Sequence, residues 1–141
     1  VKGSDQKAMS SIRILLVDEH PLFREGLHII LSAQPGLTVV GEAANGLEAL
    51  QLAATLRPDV VLMAVDLPLL DGIVTTRRLR AVQPECRIIL LTTFDDPEIT
   101  LESLRAGAAD ILLKDTPTQK LVNEIERLTS HSHYDRSHQE I

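Results

Sequence analysis

At 141 residues, with 44% hydrophobic and 24% charged side chains, the chain has the length and composition of one folded domain, which excludes intrinsic disorder and requires no disulfide or metal staple. No apolar run approaches the ~18 residues of a membrane span, and a formal net charge of −6 argues against direct contact with nucleic acid, whose phosphates demand a basic face. The lone cysteine, Cys86, and an opening without a charged-then-apolar signal segment point to a reducing cytoplasm.

Residues 1–8, VKGSDQKA, carry no apolar periodicity and are read as a leader or cloning scar ahead of a domain spanning 9–130. IRILLV (12–17) is the first predicted strand. Its consecutive apolar residues imply a strand covered on both faces, hence a parallel sheet. Phe23, Leu27, Ile30 and Leu31 then recur at helical spacing and leave Arg24, Glu25 and His28 outward, and Pro35-Gly36 ends that helix. LTVVGEA (37–43), DVVLMA (59–64), CRIILLT (86–92) and ADILL (109–113) are four further strands, alternating with helices over 46–57, 71–82, 95–106 and 117–129. Cys86 is read as packing at a strand start. The last helix turns Leu121, Val122, Ile125 and Leu128 inward, with Thr116 as a cap and Pro117 at the first helical position. The closing 131–141 stretch, HSHYDRSHQEI, lacks a repeating apolar face and is read as a polar tail or the start of a linker. No cysteine or carboxylate pattern completes a metal site around His131, His133 and His138, which are read as solvated.

Five βα units in this length predict an α/β, flavodoxin-like doubly wound parallel sheet of order 2-1-3-4-5. In such a sheet ligands bind beyond the carboxyl ends of the strands, at the switch point between strands 1 and 3. The strand ends carry Asp18-Glu19, Ala64, Thr92-Thr93 and Lys114. Two acids suit a hard cation such as Mg²⁺, which needs one or two carboxylates and keeps several waters. A lysine supplies a mobile point charge for a phosphoryl oxygen or a carboxylate, and a threonine hydroxyl can move to bond a phosphate once it arrives. The chemistry indicated is phosphoryl transfer.

LLVDEHPLFREGL, DVVLMAVDLPLLDG, IILLTTFDD and AGAADILLKD, four motifs in order from about residue 12 to 129, resemble the receiver domain of two-component response regulators. The spacing is most similar to the NarL/LuxR-type branch, whose output is a helix-turn-helix. The resemblance implies a sensor histidine kinase as partner, an aspartate acceptor at the end of strand 3, and a DNA-binding output domain absent from this chain. It implies Glu19 as a direct Mg²⁺ ligand, Asp18 as a nearby or water-mediated one, and the backbone carbonyl of Asp66 as a third. Thr92 and Lys114 match the family's switch hydroxyl and lysine. A switch module of this kind is not itself an enzyme, and homodimerisation on activation is expected to use the face formed by the fourth helix, fifth strand and fifth helix.

Two positions depart from the pattern. Ala64 stands where the acceptor aspartate belongs, and a methyl group can neither form an acyl phosphate nor bind magnesium. Asp66, two residues on, is past the strand end and is not expected to share that geometry. Ile111 stands where related receivers often carry an aromatic that rotates on activation, and it is read as a strand residue packed under the last helix. Because Asp18, Glu19, Thr92 and Lys114 are all retained, a replaced aspartate is favoured over an abandoned site. The alternative is a natural pseudo-receiver controlled by oligomerisation or another ligand. A flavin carrier of this topology would need a hydroxyl- and glycine-rich loop after strand 1, where Asp18-Glu19 would repel the phosphate. A phosphatase with a carboxylate nucleophile would need an aspartate at 64, in a pair expected after the first strand.

Overall fold

The computed structural model describes residues 11–140, with side chains through Ser130; the expected leader, the side chains of the three tail histidines and Ile141 fall outside what it describes. In chain order the elements are β1 (Ile12–Val17), α1 (Pro21–Ser32), β2 (Leu37–Ala43), α2 (Gly46–Leu56), β3 (Val60–Ala64), α3 (Gly72–Val82), β4 (Arg87–Thr92), α4 (Pro97–Ala106), β5 (Asp110–Leu113) and α5 (Thr118–Glu140). All five strands pair in parallel in the order β2-β1-β3-β4-β5, the predicted flavodoxin-like arrangement. Among the described residues no helix is long and apolar enough to cross a membrane.

Alternation along the strands sorts their side chains into two separate cores. Leu15, Val17, Val61, Met63, Ile88 and Leu90 face α2, α3 and α4, where they meet Ala49, Ala53, Ile73, Leu79 and Ala106. Ile14, Leu16, Leu62, Ile89 and Leu91 face α1 and α5, against Leu31, Leu121, Val122 and Ile125. Each such side chain, removed from water, contributes roughly 1.5–3 kcal/mol. Asn45, Asp71 and Asp96 cap α2, α3 and α4 by accepting from the N–H groups of Glu48, Val74 and Glu98.

The connection from β3 to α3 is tight. A Cβ on Gly72 would stand 2.2 Å from the backbone oxygen of Ala64, so only glycine lets the helix start against the strand end. Leu69, in the same connection, holds φ at +69° and is 74% exposed, a left-handed conformation that costs a non-glycine residue about 1–2 kcal/mol.

Four local expectations are corrected. α5 does not stop near Thr129 or Ser130 but runs to Glu140, since no glycine or proline interrupts it after Pro117. It starts at Thr118 rather than Pro117, and Thr116 gives its N–H to the Leu113 carbonyl in the preceding turn. Ile30 is 38% exposed while Leu31 is fully buried, so the inward stripe of α1 is narrower than its spacing suggested. Ile111 packs on the α4 side of the sheet, and its neighbour Leu112 lies on the α5 side, as the period-2 alternation of a strand requires. Cys86 is buried just before β4, and burial pushes its thiol up to about 12, which makes it inert packing.

α5 also docks on β5 through two carboxyl groups. Burial, then a hydrogen bond with Glu124, raises Asp110 to about 6, whereas the Arg127 guanidinium, followed by Asp110, lowers Glu124 to about 2. Arg127 grips both Glu124 oxygens at 2.8 and 2.7 Å. The folded pair therefore keeps one proton between about pH 2 and 6, while in the unfolded chain both carboxyls titrate near their ordinary values of 3.8 and 4.5. Its stabilisation is greatest near pH 4, is lost as pH rises through 6, and is lost as pH falls through 2. Asp110→Asn, which can donate to Glu124 without a titrating proton, is expected to abolish the decline between about pH 4 and 6 in urea-denaturation midpoints. An unchanged profile would refute the shared proton. Gly72→Ala is expected to cost about 1–3 kcal/mol in the same measurement; a midpoint equal to the parent's would mean that the α3 start can shift freely.

Candidate functional site

The strand registers bring the predicted residues to one edge of the sheet. Val17 pairs with Met63, Ala64 with Leu91, and Thr92 with Leu113, so the chain segments that follow β1, β3, β4 and β5 leave the sheet at nearly one level. Asp18, Ala64, Thr92 and Lys114 stand along that edge.

Asp18 is the most constrained of these groups, only 3% exposed. Its N–H donates to the Ala43 carbonyl at 3.0 Å, which continues the β1–β2 pairing. Its Oδ1 accepts from the His20 backbone N–H at 2.8 Å and lies 3.1 Å from His20 Nδ1. Its Oδ2 lies 2.6 Å from Lys114 Nζ, with no aligned hydrogen bond, so the attraction there is chiefly ionic. Lys114 reaches that position along the apolar wall of α1; its side chain is 17% exposed and its ammonium sits 4.6 Å from the centre of the Phe23 ring. A cation over an aromatic face gains further attraction where water is sparse. Asp18 and Lys114 are thus in direct contact across the switch point of the sheet.

The other predicted residues are near this pair without joining it. Glu19 and Asp66 are exposed in the loops after β1 and β3. Thr92 turns its hydroxyl along its own loop, 3.4 Å from both the oxygen and the nitrogen of Phe94, while its backbone carbonyl accepts from Lys114 N–H at 2.8 Å. Ala64 is buried, and its methyl adds no polar atom to the edge. Among the described residues no group of three or more His, Cys, Asp or Glu side chains could by itself enclose a metal ion. Two adjacent carboxylates, one buried at the switch point and one open to water, nevertheless form the oxygen-rich donor set that suits a partly hydrated magnesium ion.

A second layer escaped the sequence reading. Arg24, expected to point outward, is 18% exposed and donates from Nη1 to the Asp18 carbonyl at 2.5 Å and from Nε to Glu42 at 2.8 Å. Glu42, on β2, also meets His28 Nδ1 at 2.5 Å. Burial opposes its ionisation, but the His28 and Arg24 contacts prevail and hold its carboxyl below the ordinary range. The available signal was the acid in the otherwise apolar strand LTVVGEA, which required a cationic partner from the neighbouring helix.

The chain matches known proteins in sequence and in fold. The family model of the response regulator receiver domain matches residues 14–126. The transcriptional regulatory protein YxjL of Bacillus subtilis is 42% identical over 81% of this chain and 52% of its own length, and LiaR of the same organism is 39% identical over 81% and 54%. The chain spans about half the length of the curated relatives it matches. The solved receiver domain of NarL from Mycobacterium tuberculosis superposes with a TM-score of 0.79 at 36% identity, covering 82% of this chain and 94% of that one. With the sheet order, the strand-end groups and these matches in agreement, the chain belongs to the response regulator receiver domain family.

Proposed function

We propose that this chain is the switch module of a transcriptional response regulator in which Ala64 occupies the phosphoacceptor position, so that the chain as it stands takes up no phosphoryl group. The observation that carries the reading is the contact of Lys114 with Asp18, 2.6 Å apart at the strand edge beside Ala64. A lysine ammonium placed there is suited to an anionic oxygen at position 64 or on a group bound to it. With a methyl at that position, the ammonium rests on the remaining acid instead.

In the full reading Asp18, Glu19 and the Asp66 carbonyl hold Mg²⁺, which when bound neutralises charge on phosphoryl oxygens. Lys114 holds charge on the opposite side, and the Thr92 hydroxyl leaves the Phe94 backbone to follow the modified group. Residues 9–130 form the receiver, and 131–141 are a polar tail or the start of a linker. A sensor histidine kinase is the partner that supplies phosphoryl, the module signals rather than catalyses a reaction of its own, and its compartment is the cytoplasm. Activation favours a homodimer through α4, β5 and α5. The similarity to transcriptional regulatory proteins supports this reading. A pseudo-receiver independent of phosphorylation is the second reading, favoured by one observation: the Lys114 ammonium and the Asp18 carboxylate neutralise each other by direct contact.

Two variants test the proposal. Ala64→Asp is expected to gain one phosphoryl mass from a small acyl phosphate donor with Mg²⁺, read by intact mass spectrometry, while the parent gains none. A folded, Mg²⁺-binding Ala64→Asp chain that stays unlabelled would overturn the assignment of position 64. Lys114→Met removes the ammonium that competes for Asp18, so Mg²⁺ affinity in the Ala64 chain is expected to rise on the order of tenfold by titration calorimetry. Unchanged or weaker affinity would mean that the ion pair does not cover the cation site.

A further inference from the structure

We propose that Arg24 is a positioning residue for the cation site, a strut that sets the Asp18-Glu19 peptide from behind and is itself held by Glu42 on β2. The inference rests on reading Asp18 and Glu19 as the magnesium-binding acids. Arg24 does not touch the carboxylates' open side. It contacts the Asp18 backbone carbonyl, at 2.5 Å, and in the same fork bonds Glu42 at 2.8 Å.

The Asp18 peptide is otherwise free to turn on that side. The Asp18 N–H is fixed by Ala43 and its side chain by His20, but its carbonyl lies past the last paired residue of β1, where no strand neighbour donates to it. A carbonyl that rotates carries the following residue with it, and that residue is Glu19. Arg24 closes this freedom. A guanidinium can do so because it is planar and presents two donors in fixed directions, whereas an ammonium offers a single mobile charge. Glu42 fixes the other prong, and His28 at 2.5 Å fixes Glu42 in turn. Each member therefore acts through the next, from the β2 edge to the acid pair.

Charge and geometry make opposite forecasts here. A guanidinium close to the acids repels an incoming cation, so if Arg24 acted only through its charge, Arg24→Met would tighten Mg²⁺ binding. As a strut its loss loosens the acid pair and weakens binding, in the range of about tenfold seen for groups that orient metal ligands. Arg24→Lys keeps the charge and loses the fork, so it is expected to weaken binding as well. Glu42→Met removes the support from the far end, and the Arg24→Met/Glu42→Met double variant is expected to bind no more weakly than Arg24→Met alone, because both act through one path.

The measurement is Mg²⁺ affinity by competition against Mn²⁺, with the free Mn²⁺ counted by electron paramagnetic resonance, in the parent chain and in Ala64→Asp. Thermal melts accompany each variant, and if Arg24→Met does not fold, Glu42→Met and Arg24→Lys carry the comparison. Weaker binding in Arg24→Met and Arg24→Lys with a non-additive double variant supports the strut. Tighter binding in Arg24→Met with parent-like Arg24→Lys overturns it in favour of simple charge, and additive losses in the double variant overturn the single path. Absence of Mg²⁺ binding in both the parent and Ala64→Asp overturns the metal-site reading and the strut together.

Discussion

A parallel sheet covered on both faces leaves polar groups almost nowhere to go but its ends. β3 is buried at every residue, and its neighbours β1 and β4 are buried along most of their length, so each side chain there must be apolar or carry its partner with it. Polar chemistry is pushed to the carboxyl edge, where the chain leaves the sheet and water returns. Asp18 sits at that boundary, with its carboxylate nearly as buried as the core beneath it. Everything that makes the edge a site follows from the need to keep that buried charge company.

The company comes from three directions. His20 supplies a backbone donor from the same loop, Lys114 an ammonium from the end of β5, and Arg24 a guanidinium behind the peptide. A buried charge that loses its partner is costly, while one that can exchange partners is responsive. Lys114 is the member whose chemistry suits exchange, because its stem is flexible, its head lies over Phe23, and an ammonium is a point charge without directional demands. Arg24 is the fixed member. The site thus combines one mobile and one rigid cation around a single acid, and the mobile one connects β1, α1 and β5.

The strands and their order were legible from consecutive apolar runs such as DVVLMA and CRIILLT, because burial on both faces writes itself directly into composition. The convergence of Asp18, Ala64, Thr92 and Lys114 was legible too, since a parallel sheet of known order puts all carboxyl ends on one side. What the sequence could not display was pairing between charges. Arg24 and His28 look solvent-facing on a helical projection, and only the crossing of α1 over β2 brings them to Glu42. The face taken by Ile111 was missed because a four-residue strand gives too short a pattern to set its phase without the register to β4. Asp110 and Glu124, distant in sequence, influence each other's ionisation only because α5 packs against the β5 side of the sheet. The end of α5 was misplaced because loss of an apolar face was taken as loss of helix, whereas the helix persists where nothing breaks it.

Leu69 connects this edge to the statistics of the loop that follows it. Its backbone sits in a conformation that leucine disfavours by about 1–2 kcal/mol, and its side chain, out in solvent, recovers little by burial. An energy of that size corresponds to a ratio of roughly five to thirty between two arrangements of a segment. Residue 64 and Gly72 hold the two ends of the loop close together, so the strained residue lies on a segment anchored directly at the end of β3. The strain at Leu69 is thus borne by the stretch of chain that ties the end of β3 to the start of α3, on the outer surface beside the strand edge.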